Sequence, residues 1–134
     1  MSVLELKCPS SKLPSQVPYY YMCQLHSEMA SFNLKETVFV CWIHDQNKGT
    51  EKLRCWKVKF HKQFWEDFLK IVDLVRMKNS DGSRGAPWCQ FGSHWFNFKA
   101  KYSRKAAWIQ HVIPYFLSRD YCLNRPFTMP DSNE

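Results

Sequence analysis

The stretch ETVFVCWIHDQNKGTEKLRCWKVKF, residues 36–60, decides the fold of this chain. Its first part, residues 36–43, is rich in β-branched and aromatic side chains without alternation, which predicts a strand covered on both faces. Asparagine and glycine mark a turn over residues 44–51. In residues 53–60, bulky apolar side chains alternate with two lysines, which predicts a second strand. Two strands around one turn predict a β-hairpin.

Helices are predicted on both sides of this hairpin. Residues 62–78 carry an apolar stripe at helical spacing, and residues 18–32 form a second amphipathic stretch that begins with a proline. Before them, residues 2–7 alternate as a strand does. The predicted order is therefore strand, helix, strand, strand, helix. This order indicates an α/β unit with the first helix covering one face of the sheet.

The rest of the chain differs in composition. Residues 80–87 read as a flexible linker, and an aromatic, basic stretch follows them. A further helix is predicted over residues 103–118, which Pro114 would kink or break. We therefore divide the chain into a core over residues 1–78 and a C-terminal extension of unassigned role over residues 79–134.

Composition limits the classes of protein that fit. The 134 residues are 45% hydrophobic, enough for a real core, and their net charge of +7 favours an acidic partner such as nucleic acid. No secretory signal or membrane-spanning run is visible, so we expect an intracellular protein, nuclear or cytoplasmic, that is not secreted. The six cysteines are then expected to be thiols, and the lack of a C-x-x-C pair disfavours zinc.

The first strand holds the residues with the clearest chemistry, in VLELKCP at residues 3–9. Glu5 and Lys7 fall on one strand face, about 6.5–7 Å apart at the backbone. A carboxylate there can hold Mg²⁺, and a neighbouring ammonium can orient or deprotonate the attacking water and stabilise charge on phosphorus. Alone, the E-x-K spacing is more often that of a solvated strand face than that of a catalytic pair.

A second motif adds context. LELKCP (residues 4–9) is followed by a loop, by YMCQLH (residues 21–26) opening a helix, and then by the apolar strand. This arrangement resembles the YqaJ-like viral recombinase group, the phage lambda exonuclease-like family of the PD-(D/E)xK nuclease superfamily. The resemblance covers residues 2–78. It implies a partial restriction-endonuclease-like core with an aromatic, basic C-terminal extension.

The resemblance also implies roles for individual residues. It assigns Glu5 as a metal-binding carboxylate, Leu6 as a backbone carbonyl ligand, Lys7 as the catalytic lysine and Gln24 as the glutamine that orients the site, with Mg²⁺ or Mn²⁺ as the cofactor. Tyr21 matches the tyrosine of the family motif, but a core aromatic is an equally good interpretation. His26 stands where the family commonly has a second glutamine, and a structural role is the commoner one for such a histidine.

The expected function is that of a DNA exonuclease, with metal-dependent phosphodiester hydrolysis of the recombination or repair type. The family takes a metal-binding aspartate from the strand before E-x-K, yet only MSVL precedes Glu5. We therefore expect an incomplete site and weak or no activity from this chain alone. The alternatives are a non-catalytic DNA-binding or interaction module, or a truncated product without independent function.

Two basic regions are candidate DNA contacts, and a homo-oligomer is left open. The segment 48–62 could face phosphates, although a solvated hairpin face is at least as common. Its candidate DNA-binding residues are Lys48, Lys52, Arg54, Lys57 and Lys59. Aromatic residues interleave with cations in the tail and could stack on bases, although a local core or an interaction surface is the more frequent role. They are Trp88, Phe91, Trp95, Phe96 and Phe98.

Overall fold

The computed structural model describes residues 1–9 and 12–115. Its strands and helices are β1 (Val3–Lys7), α1 (Met22–Ser31), β2 (Glu36–Asp45), β3 (Thr50–Lys59), α2 (Lys62–Arg76), α3 (Trp88–Tyr102) and β4 (Val112–Tyr115). Short 3₁₀ turns at Tyr19–Tyr21 and Lys105–Trp108 precede α1 and β4. The predicted α/β class is confirmed. Among the described residues, none of the helices has the length and apolar character to cross a membrane.

The four strands form one mixed sheet in the order β1-β2-β3-β4. β1 pairs parallel with β2, and the remaining pairs are antiparallel. The parallel pair needs a crossover, which α1 provides. Glu5 lies opposite Phe39 and Lys7 opposite Cys41, so the register places both charged residues on the face that holds the core. The sheet thus fixes the first candidate site at its β1 edge.

The predicted hairpin is present, with a tighter turn than the sequence indicates. β2 runs to Asp45 and β3 begins at Thr50, so the turn spans four residues rather than the eight of 44–51. The Asp45 carboxylate accepts hydrogen bonds from the backbone N–H groups of Asn47 and Lys48, at 3.0 and 3.2 Å. Gly49 closes the turn at φ +61°, which suits glycine.

The expectation that β2 is covered on both faces is wrong. Thr37, Phe39 and Cys41 are buried on the face beneath the helices, whereas the alternate residues of β2 are half-buried or, at His44, exposed. On that second face of the sheet, Leu4 of β1 is 69% exposed and Leu6 is 56% exposed. The unbroken apolar run of the sequence hides this difference between the faces.

The tail also differs from its prediction. The helix predicted over residues 103–118 is wrong for residues 103–115, where a 3₁₀ turn leads into β4, and residues 116–118 lie outside the described part of the chain. The helix α3 occupies Trp88–Tyr102 instead, and β4 pairs with β3. Aromatic residues at helical spacing place α3 earlier in the chain, because their stripe packs on α2. Pro114 lies opposite Trp56, on a strand with a partner on one side among the described residues, where a missing N–H is tolerated.

One core spans the predicted boundary at residue 78. Phe98, Tyr102 and Trp108 are buried against Phe64 of α2, with ring centroids about 5 Å apart. Asp67 of α2 accepts hydrogen bonds from Tyr102 and Lys101 of α3, which joins the two helices by a polar contact as well. Residues on both sides of the linker therefore fill the same interior.

Candidate active site

The edge strand β1 and the first turn of α1 bring three side chains into one hydrogen-bonded network. Lys7 Nζ lies 3.0 Å from Glu5 Oε1. It also donates to Gln24 Oε1 at 3.2 Å, and Gln24 Nε2 donates back to Glu5 Oε1 at 3.1 Å. Strand alternation places the two charged residues on the side of the sheet that faces α1. Gln24 is the third residue of α1 and points toward them. The structure thus brings together the three side chains that the motifs single out.

Lys7 is held as a cation. Its hydrogen bond with Glu5 raises the pKa of the ammonium above its usual value, and the negative charge of Glu5 adds to this effect against the opposing effect of burial. The ammonium also lies 5.0 Å from the ring centroid of Tyr21, within cation–π range. Tyr21 itself packs on Phe39 and is only half-buried, so it borders both the core and the site. At neutral pH Lys7 is a positive charge rather than a proton acceptor.

Glu28 belongs to this network and was missed as a site residue by the sequence analysis. Its Oε1 accepts a hydrogen bond from Gln24 Nε2 at 3.0 Å. Its Oε2 is buried and has no hydrogen-bond partner among the described residues. Burial raises the pKa of the Glu28 carboxyl, and the nearby negative charge of Glu5 raises it further. The signal in the sequence was the four-residue spacing from Gln24, which places both on one side of α1.

A cavity of about 570 Å³ opens beside Lys7. It lies under the loop between β1 and α1, and its lining includes Lys7, Lys12, Tyr20 and Tyr21. Among the described residues, no carboxylate lines it. A volume of this order suits a small ligand or one unit of a larger one. The two ammonium groups favour an anionic ligand.

The oxygen atoms next to the cavity are of the type that binds a hard divalent cation such as Mg²⁺. The Glu5 carboxylate is an oxygen ligand, and Leu6 has only its backbone carbonyl to offer, since its side chain lies on the opposite face. No group of three or more His, Cys, Asp or Glu residues able to hold a metal occurs in the described part of the chain. Mg²⁺ is commonly held by one or two carboxylates together with waters and substrate phosphates. Glu5 and the Leu6 carbonyl could therefore supply part of such a site.

The predicted DNA-binding residues do not form one patch. Arg54 lies on the Lys7 face of the sheet, in register with Cys41, and its guanidinium donates to the Pro14 carbonyl at 2.8 Å. Lys52 follows on the same face by strand alternation. Lys57 and Lys59 lie on the other face, where Lys57 approaches Glu36 at 3.8 Å. Lys48 lies in the hairpin turn.

His26 has a structural environment. It is fully buried among Phe60, Phe64 and Trp108, and burial lowers its pKa to about 4. Its ring points into the core and not toward Glu5 or Lys7, although it lies only two residues from Gln24. The departure of this position from the family motif therefore coincides with a packing role.

Comparisons with family models, with curated proteins and with solved structures found no match to this chain. A functional conclusion therefore depends on the geometry of its own residues.

Proposed function

We propose that this chain carries the site of a metal-dependent DNA phosphodiesterase of the exonuclease type, built on part of a restriction-endonuclease-like core. The observation that carries the proposal is the network of Glu5, Lys7 and Gln24 across β1 and α1. A carboxylate and an ammonium held 3.0 Å apart beside a cavity are two of the groups that metal-dependent phosphodiester hydrolysis uses.

Each residue of the network has a distinct role in this proposal. Glu5 and the Leu6 carbonyl would hold Mg²⁺ or Mn²⁺, which would supply Lewis acidity to the phosphate and to the attacking water. Lys7 remains protonated and stabilises the negative charge that develops on the phosphoryl oxygens. Gln24 accepts from Lys7 and donates to Glu5, so it fixes the distance between the two. Lys12 supplies a second positive charge for the DNA backbone in the cavity.

The first test measures metal binding directly. Mn²⁺ titration of the 134-residue protein, followed by electron paramagnetic resonance, should show binding that Glu5→Gln weakens at least about tenfold, because it removes the charged ligand. Glu66→Gln changes an exposed glutamate on α2 in the same way and should bind Mn²⁺ as the wild type does. Equal affinity of the Glu5→Gln and wild-type proteins contradicts a metal site at Glu5.

The second test measures cleavage. Labelled duplex DNA with Mg²⁺ or Mn²⁺ should be degraded weakly, and Lys7→Ala should reduce the rate about 100-fold or more, because the lost charge acts in the transition state. Lys70→Ala, an exposed lysine on α2, is the matched control and should leave the rate unchanged. Cleavage that persists in Lys7→Ala would come from another site or from contamination.

A second candidate function is DNA binding without catalysis. The net charge of +7 supports it, as does the placement of Lys52 and Arg54 on the Lys7 face of the sheet. Duplex binding would then occur in EDTA, weaken with salt and be insensitive to sequence. Such binding, together with no cleavage by the wild type in Mn²⁺, replaces the catalytic proposal with this one.

A further inference from the structure

Helix α3 presents aromatic side chains that its packing in the core does not use. Trp88 is 81% exposed and Phe96 is 71% exposed, while Trp95 is 38% exposed. Trp88, Phe91 and Trp95 follow one another along the helix, with centroid distances of 5.9 and 6.4 Å. The row continues to Phe98, which is buried, so its inner end is fixed by the core.

A glycine lies between the two tryptophans. Trp88, Gly92 and Trp95 share one side of α3, because they are four and then three residues apart. A Cβ added at Gly92 would meet no atom within 4 Å, so the space above it is open. Phe91 stacks on Trp95 with an angle of 5° between the ring planes, which holds the Trp95 ring in place. The helix therefore carries an open slot with an indole above and below it.

The segment that carries the slot has charged side chains of one sign. Residues 82–115 contain no Asp or Glu. Their basic residues are Arg84, Lys99, Lys101, Arg104 and Lys105. Asp67 engages Lys101, and the other four are exposed. Lys99 falls on the same side of α3 as the two tryptophans, four residues beyond Trp95.

We propose that α3 binds single-stranded nucleic acid, with a base entering the slot over Gly92 between Trp88 and Trp95 and the flanking phosphates contacting Lys99, Arg104 and Lys105. Aromatic rings beside cations are the general means of holding single strands, because every base has a π-face and every linkage a negative charge. An apolar protein partner is disfavoured by the concentration of uncompensated positive charge. This surface shares no residue with the Glu5–Lys7–Gln24 network, so the inference goes beyond the proposed function.

The test uses the 134-residue protein and a fluorescein-labelled 12-mer of deoxythymidine in EDTA, with anisotropy as the readout. Trp88→Ala and Gly92→Leu should each weaken binding at least about fivefold, the first by removing a stacking ring and the second by filling the slot. Gly92→Leu keeps every aromatic ring and places a side chain in open space on a helix, so the fold is retained. Far-UV circular dichroism checks this point.

Two controls make the result specific. Phe32→Ala removes a ring that is 69% exposed at the end of α1, outside the basic segment, and should bind as the wild type does. The plot of log affinity against log salt should have a slope of about −2, the value for three cations on a single strand. Lys70→Ala removes an exposed lysine of α2 outside this surface and should also bind normally.

Wild-type affinity of both Trp88→Ala and Gly92→Leu would overturn the proposal. The proposal would also be overturned if these variants changed the oligomeric state, measured by light scattering, and left the DNA affinity unchanged. The aromatic row would then be a contact between copies of the chain. Tighter binding of a duplex 12-mer than of the single strand would also contradict it, since paired bases cannot enter the slot.

Discussion

At the scale of single residues, Glu28 controls the balance of charge beside Glu5. Burial and the Glu5 charge raise the pKa of its carboxyl, so the folded state holds this proton more tightly than the unfolded state does. The corresponding stability is present at low pH and is lost as the pH rises through the raised pKa. Glu28→Gln should therefore raise the melting temperature at pH 7, and the gain should disappear below about pH 4.

Thermal unfolding by circular dichroism from pH 4 to pH 8 measures this difference. Glu66→Gln is the control, because Glu66 is exposed and forms only a long ion pair with Lys62 across one helical turn. Its effect should be small at every pH. If Glu28→Gln raised the melting temperature equally at pH 4 and pH 8, the increase would not come from removal of the Glu28 negative charge.

Thr37 provides a second test at this scale. Its side chain is fully buried in β2, and its Oγ1 has no hydrogen-bond partner among the described residues. A buried hydroxyl without a partner costs free energy, and valine has nearly the same shape. Thr37→Val should therefore increase the free energy of unfolding by about 1 kcal/mol in urea titrations. Thr50→Val, at an exposed position of β3, should change it by less than about 0.5 kcal/mol.

At the scale of elements, His26 connects two helices. Its Nδ1–H donates to the Met22 carbonyl in α1 at 2.8 Å, and its Nε2 accepts from the His61 backbone N–H at the start of α2 at 3.0 Å. His61 in turn caps α2, because its ring accepts from the Phe64 N–H. One neutral imidazole thus forms hydrogen bonds with a backbone carbonyl at the start of α1 and with a backbone N–H just before α2. Protonation of Nε2 would remove the acceptor and place a charge in the core.

This contact predicts sensitivity to acid. Because burial lowers the pKa of His26 to about 4, the unfolded chain binds a proton first as the pH falls. Stability is complete above the unfolded pKa of about 6.5 and should decline toward pH 4, by on the order of 3 kcal/mol from His26 alone. NMR titration of the His26 ring should give a midpoint near 4. A His26 midpoint near 6.5 would contradict the burial.

The elements also show how much the sequence can predict. Alternation and turn residues place the β2–β3 hairpin and α2 closely, because these signals are local. The position of α3 was missed, since its stripe becomes apparent only against the rings of α2 that it meets. In the site, the E-x-K spacing predicts one strand face for Glu5 and Lys7. The four-residue spacing of Gln24 and Glu28 predicts one side of α1 for both, but the burial of Glu28 next to Glu5 depends on how closely α1 packs on β1.

At the scale of the whole molecule, the sheet has two unequal faces. The helices cover one, while Leu4 and Leu6 remain exposed on the other, at the edge where β1 has a partner on one side among the described residues. The core is consequently one-sided and depends on every element that covers it. The aromatic residues of α3 and of the turn before β4 supply a large share of that cover.

This dependence predicts that residues 1–78 do not fold alone. A chain ending at Lys78 would expose Phe64, which in the full chain contacts Phe98, Tyr102 and Trp108. Far-UV circular dichroism in urea should then show no cooperative transition. In the full chain, Trp108→Ala should lower the free energy of unfolding by about 3–5 kcal/mol, because it empties a core position and removes the indole hydrogen bond to the Tyr102 carbonyl.

Trp88→Ala is the matched control for Trp108→Ala. Trp88 is the same residue type on the same side of the linker, but it is mostly exposed, so its removal should change the free energy of unfolding by less than about 0.5 kcal/mol. If the two variants lost equal free energy of unfolding, the buried position of Trp108 would contribute no more to stability than the exposed position of Trp88. A cooperative transition in the chain ending at Lys78 would instead show that the core of the first 78 residues is sufficient, and that the division into 1–78 and 79–134 separates an independent folding unit from its extension.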